Sequence, residues 1–215
     1  HRHNYPAYAV GGLDGAVAAI YLLRNTGFKI SEQSHRILKK ALLSMRTYCN
    51  LQTWPLSLSG RHPDGEGSLE PEQFGLLALA GSPDGKETID REMAEAYLRL
   101  VTRKTDITDT LAAKGYTAEK SPAGNRTFNY SGLNVHRRAD WMVSAMGHSR
   151  YLWASEGYRG ENLYGRYLNH GSLQILATGD PISNEGSGFR QEGWDWNHFP
   201  GTTATVLPME QLRAD

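Results

Sequence analysis

Residues 115–124, Gly-Tyr-Thr-Ala-Glu-Lys-Ser-Pro-Ala-Gly, divide the sequence into two halves of different character. Before this stretch, apolar residues recur at helical spacing, whereas after it they fall in short alternating runs rich in aromatic and β-branched side chains. Helices followed by strands predict an α+β chain or two domains in series. We therefore predict a helical domain over residues 1–118 and an antiparallel β domain over residues 119–215.

The helical half opens with two amphipathic patterns joined by a short loop. After residues 11–12, a Gly-Gly pair interpreted as a break, Asp14 is placed to cap a helix that ends near Leu23. Ser31 is placed to cap a second helix that runs to about Cys49. Such a helical hairpin is the unit of bundles and toroids. Further helices are predicted over residues 71–80, 87–101 and 107–114.

The second half contains short apolar runs bounded by Gly, Asn, Asp or Ser, which is the pattern of strands in an antiparallel sheet. The predicted strands cover residues 127–130, 133–136, 141–146, 151–154 and 172–178.

The composition is that of a globular protein, with 215 residues and a hydrophobic content of 39%. There are 23 basic and 23 acidic side chains, so an anionic ligand would have to be held by a local cluster of charges. Cys49 is the only cysteine, which excludes an internal disulfide, and its apolar surroundings predict a small buried side chain. No run approaches the roughly 18 consecutive apolar residues of a membrane-spanning helix.

Polar and aromatic side chains concentrate in four clusters, at residues 1–8, 60–63, 153–171 and 191–203. The second cluster lies in a long loop, and long ordered loops in compact domains are more often functional than not. Trp and Tyr rings offer flat faces to sugars, and Arg can hold a carboxylate or sulfate through two hydrogen bonds. These residue types favour an acidic polysaccharide as the ligand.

Other functions have no matching motif. The sequence lacks His-Glu-x-x-His and paired cysteines, a Gly-x-Ser-x-Gly turn, a P-loop and a Gly-x-Gly-x-x-Gly turn. A structural interpretation of each cluster stays open at this point: the histidines and tyrosines of residues 1–8 could be surface groups, Glu156 could simply pair with Arg166, and the Trp rings could fill a packed corner.

Taken together, the clusters resemble a known family. His1 with Tyr8 in H-x-x-x-Y-P-A-Y, the Gly-Arg-His-Pro motif at residues 60–63, Ser-Glu at 155–156 and Tyr-Gly-Arg-Tyr at 164–167 occur in that order. They are followed by Glu-Gly-Trp-Asp-Trp-Asn at residues 192–197, the most specific of the motifs. This pattern is similar to polysaccharide lyase family 8, the chondroitin and hyaluronate lyases, and most like its chondroitin sulfate ABC lyase branch.

The resemblance implies a fold and a reaction. The fold would be the C-terminal part of an (α/α) helical toroid followed by the start of an antiparallel β-sandwich, with the active cleft at their junction. The reaction would be β-elimination in chondroitin or dermatan sulfate, with hyaluronan as a further candidate, leaving an unsaturated uronic acid at the new non-reducing end.

The resemblance also implies roles for individual residues. The catalytic set would be His1, Tyr8, Arg61 and Glu156, with Arg61 and His1 both candidates to neutralise the uronate carboxylate. The substrate-binding residues would be His3, Asn4, His62, Tyr164, Arg166, Trp194 and Asn197.

We expect no required cofactor and no catalytic metal; a divalent cation such as calcium or magnesium is compatible with the sequence but is not indicated by it. The expected partners are the acidic polysaccharide and the remainder of the same polypeptide, with neither nucleic acid nor membrane. The resemblance implies a secreted or periplasmic bacterial enzyme. Two alternatives stay open: a non-catalytic glycan-binding protein that retains the cleft, and a glycoside hydrolase using Glu156 with Asp195 as its carboxylate pair.

Overall fold

The structure is a computed structural model, and it describes residues 6–60, 67–147, 172–177 and 206–212. The chain forms two compact units. The helical unit comprises Tyr8–Gln52 and Leu69–Ser121, and the sheet unit includes Thr53–Ser68 and the chain from Pro122 onward. The division of the chain at 118/119 into toroid and sandwich stays a prediction, because compact units are not the same thing as family domains.

The first helix, α1, spans Pro6–Leu23, so the predicted cap at Asp14 is wrong. The helix continues through residues 11–12 although glycine costs about 1 kcal/mol relative to alanine inside a helix. Its apolar residues at helical spacing are buried, which outweighs that cost; they are Val10, Leu13, Val17 and Ile20. A hydrogen bond of 2.9 Å from Gln73 Nε2 to the Val10 carbonyl oxygen adds a buried contact within the helical unit.

Helix α1 is also, by length and composition, apolar enough to cross a membrane, with 18 residues and a mean hydropathy of 1.4. A core helix of a water-soluble domain meets the same two criteria. In the structure 28% of this 18-residue window is buried, along the stripe of Val10, Leu13, Val17 and Ile20.

Helix α2 spans Glu32–Tyr48 and is capped as predicted, because Ser31 Oγ accepts a hydrogen bond of 3.2 Å from the Ser34 amide. The other predicted helices are α3 at Pro71–Leu79, α4 at Arg91–Leu100 and α5 at Asp106–Ala113. Helix α4 begins four residues after its predicted start, since Asp90 caps it by accepting from the Met93 amide at 3.1 Å.

The core of the helical unit is formed mainly by α3 and α4, and α1, α2 and α5 contribute further buried side chains. Its fully buried side chains include Phe74, Leu77, Met93, Tyr97, Leu100 and Leu111. Cys49 is buried as predicted.

Charged side chains join α2 to α4 and to the chain that follows α5. Lys39 Nζ lies 2.8 Å from Asp90 Oδ2 and 3.3 Å from Glu92 Oε2. Beyond them, the guanidinium groups of Arg46 and Arg99 both bond to Glu119, with Arg99 Nε 2.8 Å from Glu119 Oε1. This arrangement holds residue 119, near the end of the helical unit, against α2 and α4.

Within the described residues, the sheet unit has four antiparallel strands in the order β1-β2-β3-β4. They are β1 at Gly124–Phe128, β2 at Leu133–Arg138, β3 at Trp141–Met146 and β4 at Leu173–Leu176. The predicted strands at 133–136 and 141–146 are confirmed, and β1 begins three residues before its predicted start. The predicted strand at 151–154 lies outside the described residues. A short helix, α6, spans Met209–Leu212.

The sheet has one buried and one exposed face. The buried face carries Leu133, Val135, Met142, Ser144, Met146 and Leu176. The opposite face carries Asn125, His136 and Ile175, which are exposed, and Asn134, which is partly buried. The alternation follows from the period of two along each strand. Helices followed by an antiparallel sheet confirm the predicted α+β class.

Candidate active site

Of the predicted site residues, Tyr8 is the one that falls within the described part of the chain. Tyr8 lies in the first turn of α1, directly after Pro6 and Ala7. Pro6 is buried and suits this position because proline at the start of a helix loses no hydrogen bond. The side chain of Tyr8 is 65% exposed. Tyr8 is therefore largely exposed to solvent at the start of the helix.

The remaining predicted site residues lie outside the described residues, so their geometry stays a prediction. The catalytic ones are His1, Arg61 and Glu156. The substrate-binding ones are His3, Asn4, His62, Tyr164, Arg166, Trp194 and Asn197.

The chain on either side of Arg61 is described, and we call residues 53–60 and 67–68 the loop base. An antiparallel bridge between Thr53 and Ser68 closes the loop base. Next to this bridge, the indole ring of Trp54 packs directly against the backbone of Gly67. The two lie so close that a Cβ added at Gly67 would be 1.9 Å from Trp54 Cζ2. The two ends of the loop are therefore held together by a backbone pairing and by the contact with a buried ring.

Between Thr53 and Arg61 in the sequence, the first segment of the loop base forms a short 3-10 helix at Leu56–Leu58. The amide of Ser59 donates to the Leu56 carbonyl oxygen at 2.9 Å and closes this turn. Gly60 follows with a φ of 61°, a conformation that favours glycine. Arg61 follows this buried glycine directly in the sequence.

The loop base also contains buried polar atoms that have no hydrogen-bond partner among the residues that the structure describes. They are Trp54 Nε1, Ser57 Oγ and Ser59 Oγ. Such a group costs about 1–3 kcal/mol when it loses water without gaining a partner. The conformation of this segment must therefore be maintained by packing and by the hydrogen bonds that it does make.

Within the part of the chain that the structure describes, no group of three or more His, Cys, Asp or Glu side chains is placed to hold a metal ion. Sequence reasoning singled out the Gly-Arg-His-Pro motif but missed the residues that frame it. Trp54 and Gly67 lie in a long loop rich in Trp and Gly, which can be recognised in the sequence. The hydrogen bond between Gln174 and the Leu56 amide leaves no such pattern in the sequence.

Two family models match the chain in sequence. The model described as "Lyase, catalytic" matches residues 1–106. The model described as "Polysaccharide lyase family 8, super-sandwich domain" matches residues 123–212. The chain belongs to polysaccharide lyase family 8. The predicted resemblance is confirmed, and the two matches follow the helical and strand-forming parts in order.

This family 8 chain is similar to curated relatives along its whole length. It is 49% identical over 236 residues to a chondroitin sulfate ABC exolyase of Bacteroides thetaiotaomicron, covering 100% of the chain and 23% of the relative. It is 36% identical over 212 residues to a chondroitin sulfate ABC endolyase of Proteus vulgaris, covering 99% of the chain and 20% of the relative. The chain thus spans about a fifth of the length of these relatives.

A solved structure gives the same fold. The chondroitin AC lyase of Streptomyces coelicolor A3, determined in complex with chondroitin sulphate, matches with a TM-score of 0.70 and 17% sequence identity. The match covers 95% of this chain and 31% of that one. At this identity the likeness supports the architecture of the family 8 chain, a helical part followed by an antiparallel sheet.

Proposed function

We propose that this chain forms part of a lyase that cleaves uronate-containing glycosaminoglycans by β-elimination. The observation that carries the proposal is the 49% identity, over the whole chain, to a protein named chondroitin sulfate ABC exolyase. Chondroitin and dermatan sulfate are the proposed substrates, with hyaluronan as a further candidate. Relatives named exolyase and endolyase both match, so either mode of cutting is compatible with this part of the enzyme.

The reaction removes the proton at C5 of the uronic acid and breaks the bond between C4 and the glycosidic oxygen. The electron pair of the C5–H bond forms the C4–C5 double bond, and the departing oxygen receives a proton. The C5 proton is weakly acidic while the adjacent carboxylate keeps its charge, so a cationic or donor group must neutralise that carboxylate. Arg61 and His1 are the proposed groups, and Glu156 would orient them.

Tyr8 is proposed as the acid and base of the reaction. In glucuronate, abstraction of the C5 proton and protonation of the leaving oxygen can occur on one face of the sugar, so one tyrosine can perform both. The exposed position of Tyr8 at the start of α1 is compatible with this role. In iduronate the C5 proton lies on the opposite face, and His1 is the proposed base.

The other side chains of the clusters are proposed to bind the polymer. Arg166 and His62 would hold carboxylate or sulfate groups, and Tyr164 and Trp194 would contact sugar faces. His3, Asn4 and Asn197 would donate to sugar oxygens.

The expected environment follows from the substrate. We propose that the enzyme is secreted or periplasmic, since acidic polysaccharides lie outside the bacterial cytoplasm, and that it needs no cofactor. The remainder of its own polypeptide is the other proposed partner. Exposed apolar side chains on α1, on α2 and between them support this: Leu22, Phe28 and Ile37.

The test uses the complete enzyme with chondroitin sulfate, dermatan sulfate and hyaluronan, and follows the ultraviolet absorbance of the unsaturated uronate. We expect absorbance to rise with each cut for wild type and to fall at least 100-fold in rate for Tyr8→Phe, in the range of a lost general acid-base. The matched control is Tyr130→Phe, because Tyr130 is 88% exposed in a turn of the sheet unit.

Each other outcome has a defined meaning. New reducing ends without absorbance would replace elimination by hydrolysis, with Glu156 and Asp195 as the carboxylates to test. Binding of the polymer without any cleavage would identify a glycan-binding protein that retains the cleft. Normal turnover by Tyr8→Phe would remove Tyr8 from the reaction.

A further inference from the structure

A hydrogen bond joins the loop base to the sheet. The backbone amide of Leu56 donates to Oε1 of Gln174 at 2.8 Å, across a separation of 118 residues in sequence. Gln174 is the second residue of β4 and pairs with Ser144 of β3, on the buried face of the sheet. Its neighbours Leu173 and Ile175 point to the opposite face and are exposed. The side chain of Gln174 is therefore partly buried and is bonded to the loop base.

The Leu56 amide needs a partner from elsewhere in the chain. Leu56 is the first residue of the 3-10 helix, and the first amides of any helix have no acceptor within it. Such amides are usually satisfied by a Ser, Thr, Asp or Asn side chain at the preceding position. That position holds Pro55, which makes no side-chain capping bond. Gln174 supplies the missing cap from a strand of the sheet.

The capped turn is the last ordered element before Arg61. Leu58 donates to the Pro55 carbonyl oxygen at 2.9 Å, so the turn is continuous from its cap to its final residues. Gly60 and Arg61 follow along the covalent chain. Two residues, Ser59 and Gly60, therefore separate the end of the turn from Arg61 in the sequence.

We propose that Gln174 is a positioning residue for Arg61: by capping the turn at Leu56, it fixes the segment that delivers the arginine to the uronate carboxylate. This inference rests on the proposed lyase function, and it assigns a role in the reaction to a side chain of the sheet. A displacement of about 1 Å at a reacting group can lower turnover by up to roughly 100-fold. Neutralisation of the carboxylate matters most in the transition state, so the loss should fall on kcat more than on KM.

The experiment compares two substitutions in the complete enzyme. Gln174→Met keeps the length of the side chain and removes the acceptor, whereas Gln174→Glu keeps an acceptor oxygen at the same distance along the side chain. We expect Gln174→Met to lower kcat about 10-fold with KM changed less than threefold, and Gln174→Glu to restore kcat to within threefold of wild type. The matched control is Gln33→Met, because Gln33 is exposed on α2 and should leave both constants unchanged.

Hydrogen exchange at the Leu56 amide provides a readout that does not depend on activity. Protection of this amide should be lost in Gln174→Met and kept in Gln174→Glu. If Gln174→Met fails to fold, Gln174→Asn takes its place, because it keeps the amide and shortens its reach by one methylene.

The inference and the proposed function can fail separately. Wild-type kcat in a variant whose Leu56 amide has lost protection would overturn the positioning role while leaving the lyase intact. Unchanged protection would overturn the capping bond itself. If wild-type enzyme forms no unsaturated product, or if Arg61→Ala is fully active, the proposed function fails, and the exchange experiment still decides whether Gln174 caps the turn.

Discussion

The backbone of Gly67 lies against the ring of Trp54, so closely that a Cβ at residue 67 would be 1.9 Å from Cζ2 of the indole. Trp54 is 1% exposed. This contact limits how far apart the two segments of the loop base can lie. The absence of a side chain at residue 67 is therefore a requirement of packing at this position.

Gly67→Ala should destabilise the loop base. The added methyl group must displace either the buried ring or the backbone, and overpacking of this kind costs about 1–3 kcal/mol. Hydrogen exchange at the Leu58 and Ser59 amides in the complete enzyme would measure the free energy of local opening. Gly27→Ala is the matched control, since no atom lies within 4 Å of the Cβ that it would add. Equal exchange rates in the two variants would contradict the prediction.

Asp90→Asn should destabilise helix α4. The carboxylate of Asp90 is 2% exposed, accepts two hydrogen bonds from Lys39 Nζ at 2.9 and 2.8 Å, and caps the helix. Removing one partner of a fully buried pair costs about 3–5 kcal/mol, and partial exposure of Lys39 reduces the expected loss to about 2 kcal/mol.

Exchange at the Tyr97 and Leu100 amides would measure this loss. Asp109→Asn is the control, because the pair between Asp109 and Lys104 lies on the surface, and such pairs contribute about 0–1 kcal/mol. A smaller effect at Asp90 than at Asp109 would show that the buried pair does not stabilise α4.

His35 should make the helical unit less stable in acid. Burial lowers the pKa of His35 below 6.5, the nearby charge of Lys39 lowers it further, and Asp90 opposes both effects. The unfolded chain therefore binds a proton at a higher pH than the folded one. The contribution of neutral His35 to the stability of the helical unit is fully present above about pH 6.5 and is lost as the pH falls from there through the folded pKa.

His35→Leu tests this dependence. Exchange of α2 amides, corrected for intrinsic rates, should give opening free energies that decrease from pH 7.5 to 5.5 in wild type and change less in the variant. Gln33→Ala, on the exposed side of the same helix, should behave as wild type. An unchanged pH dependence in His35→Leu would assign the effect to other groups.

His1→Gln should lower cleavage at iduronate more than cleavage at glucuronate. If His1 is the base for iduronate and Tyr8 the base for glucuronate, loss of His1 lowers turnover of dermatan sulfate by about 100-fold or more and affects chondroitin sulfate less. Initial rates of absorbance with both polymers would measure the ratio. Equal losses on both would instead indicate that His1 acts on the carboxylate, which the two substrates share.

Much of the local structure could be predicted from the sequence. The cap at Ser31, proline at the first turn of α3 and the strand at residues 141–146 each depend on neighbouring residues, so a short window contains the information. The family could be predicted from several short motifs that occur in a fixed order along the sequence. The geometry of most site residues stays a prediction, because Tyr8 is the member that falls among the described residues.

Other features required the tertiary structure. The Gly-Gly pair at residues 11–12 is a helix breaker by propensity, yet α1 continues because burial of Val10 and Val17 against the helical unit outweighs a local cost of about 1 kcal/mol per glycine. Likewise, no window around Leu56 contains the acceptor for its amide, which comes from Gln174, 118 residues away. Sequence patterns carry preferences between neighbours, whereas a buried contact or a cap from a distant strand exists only after the chain has folded and water has been excluded.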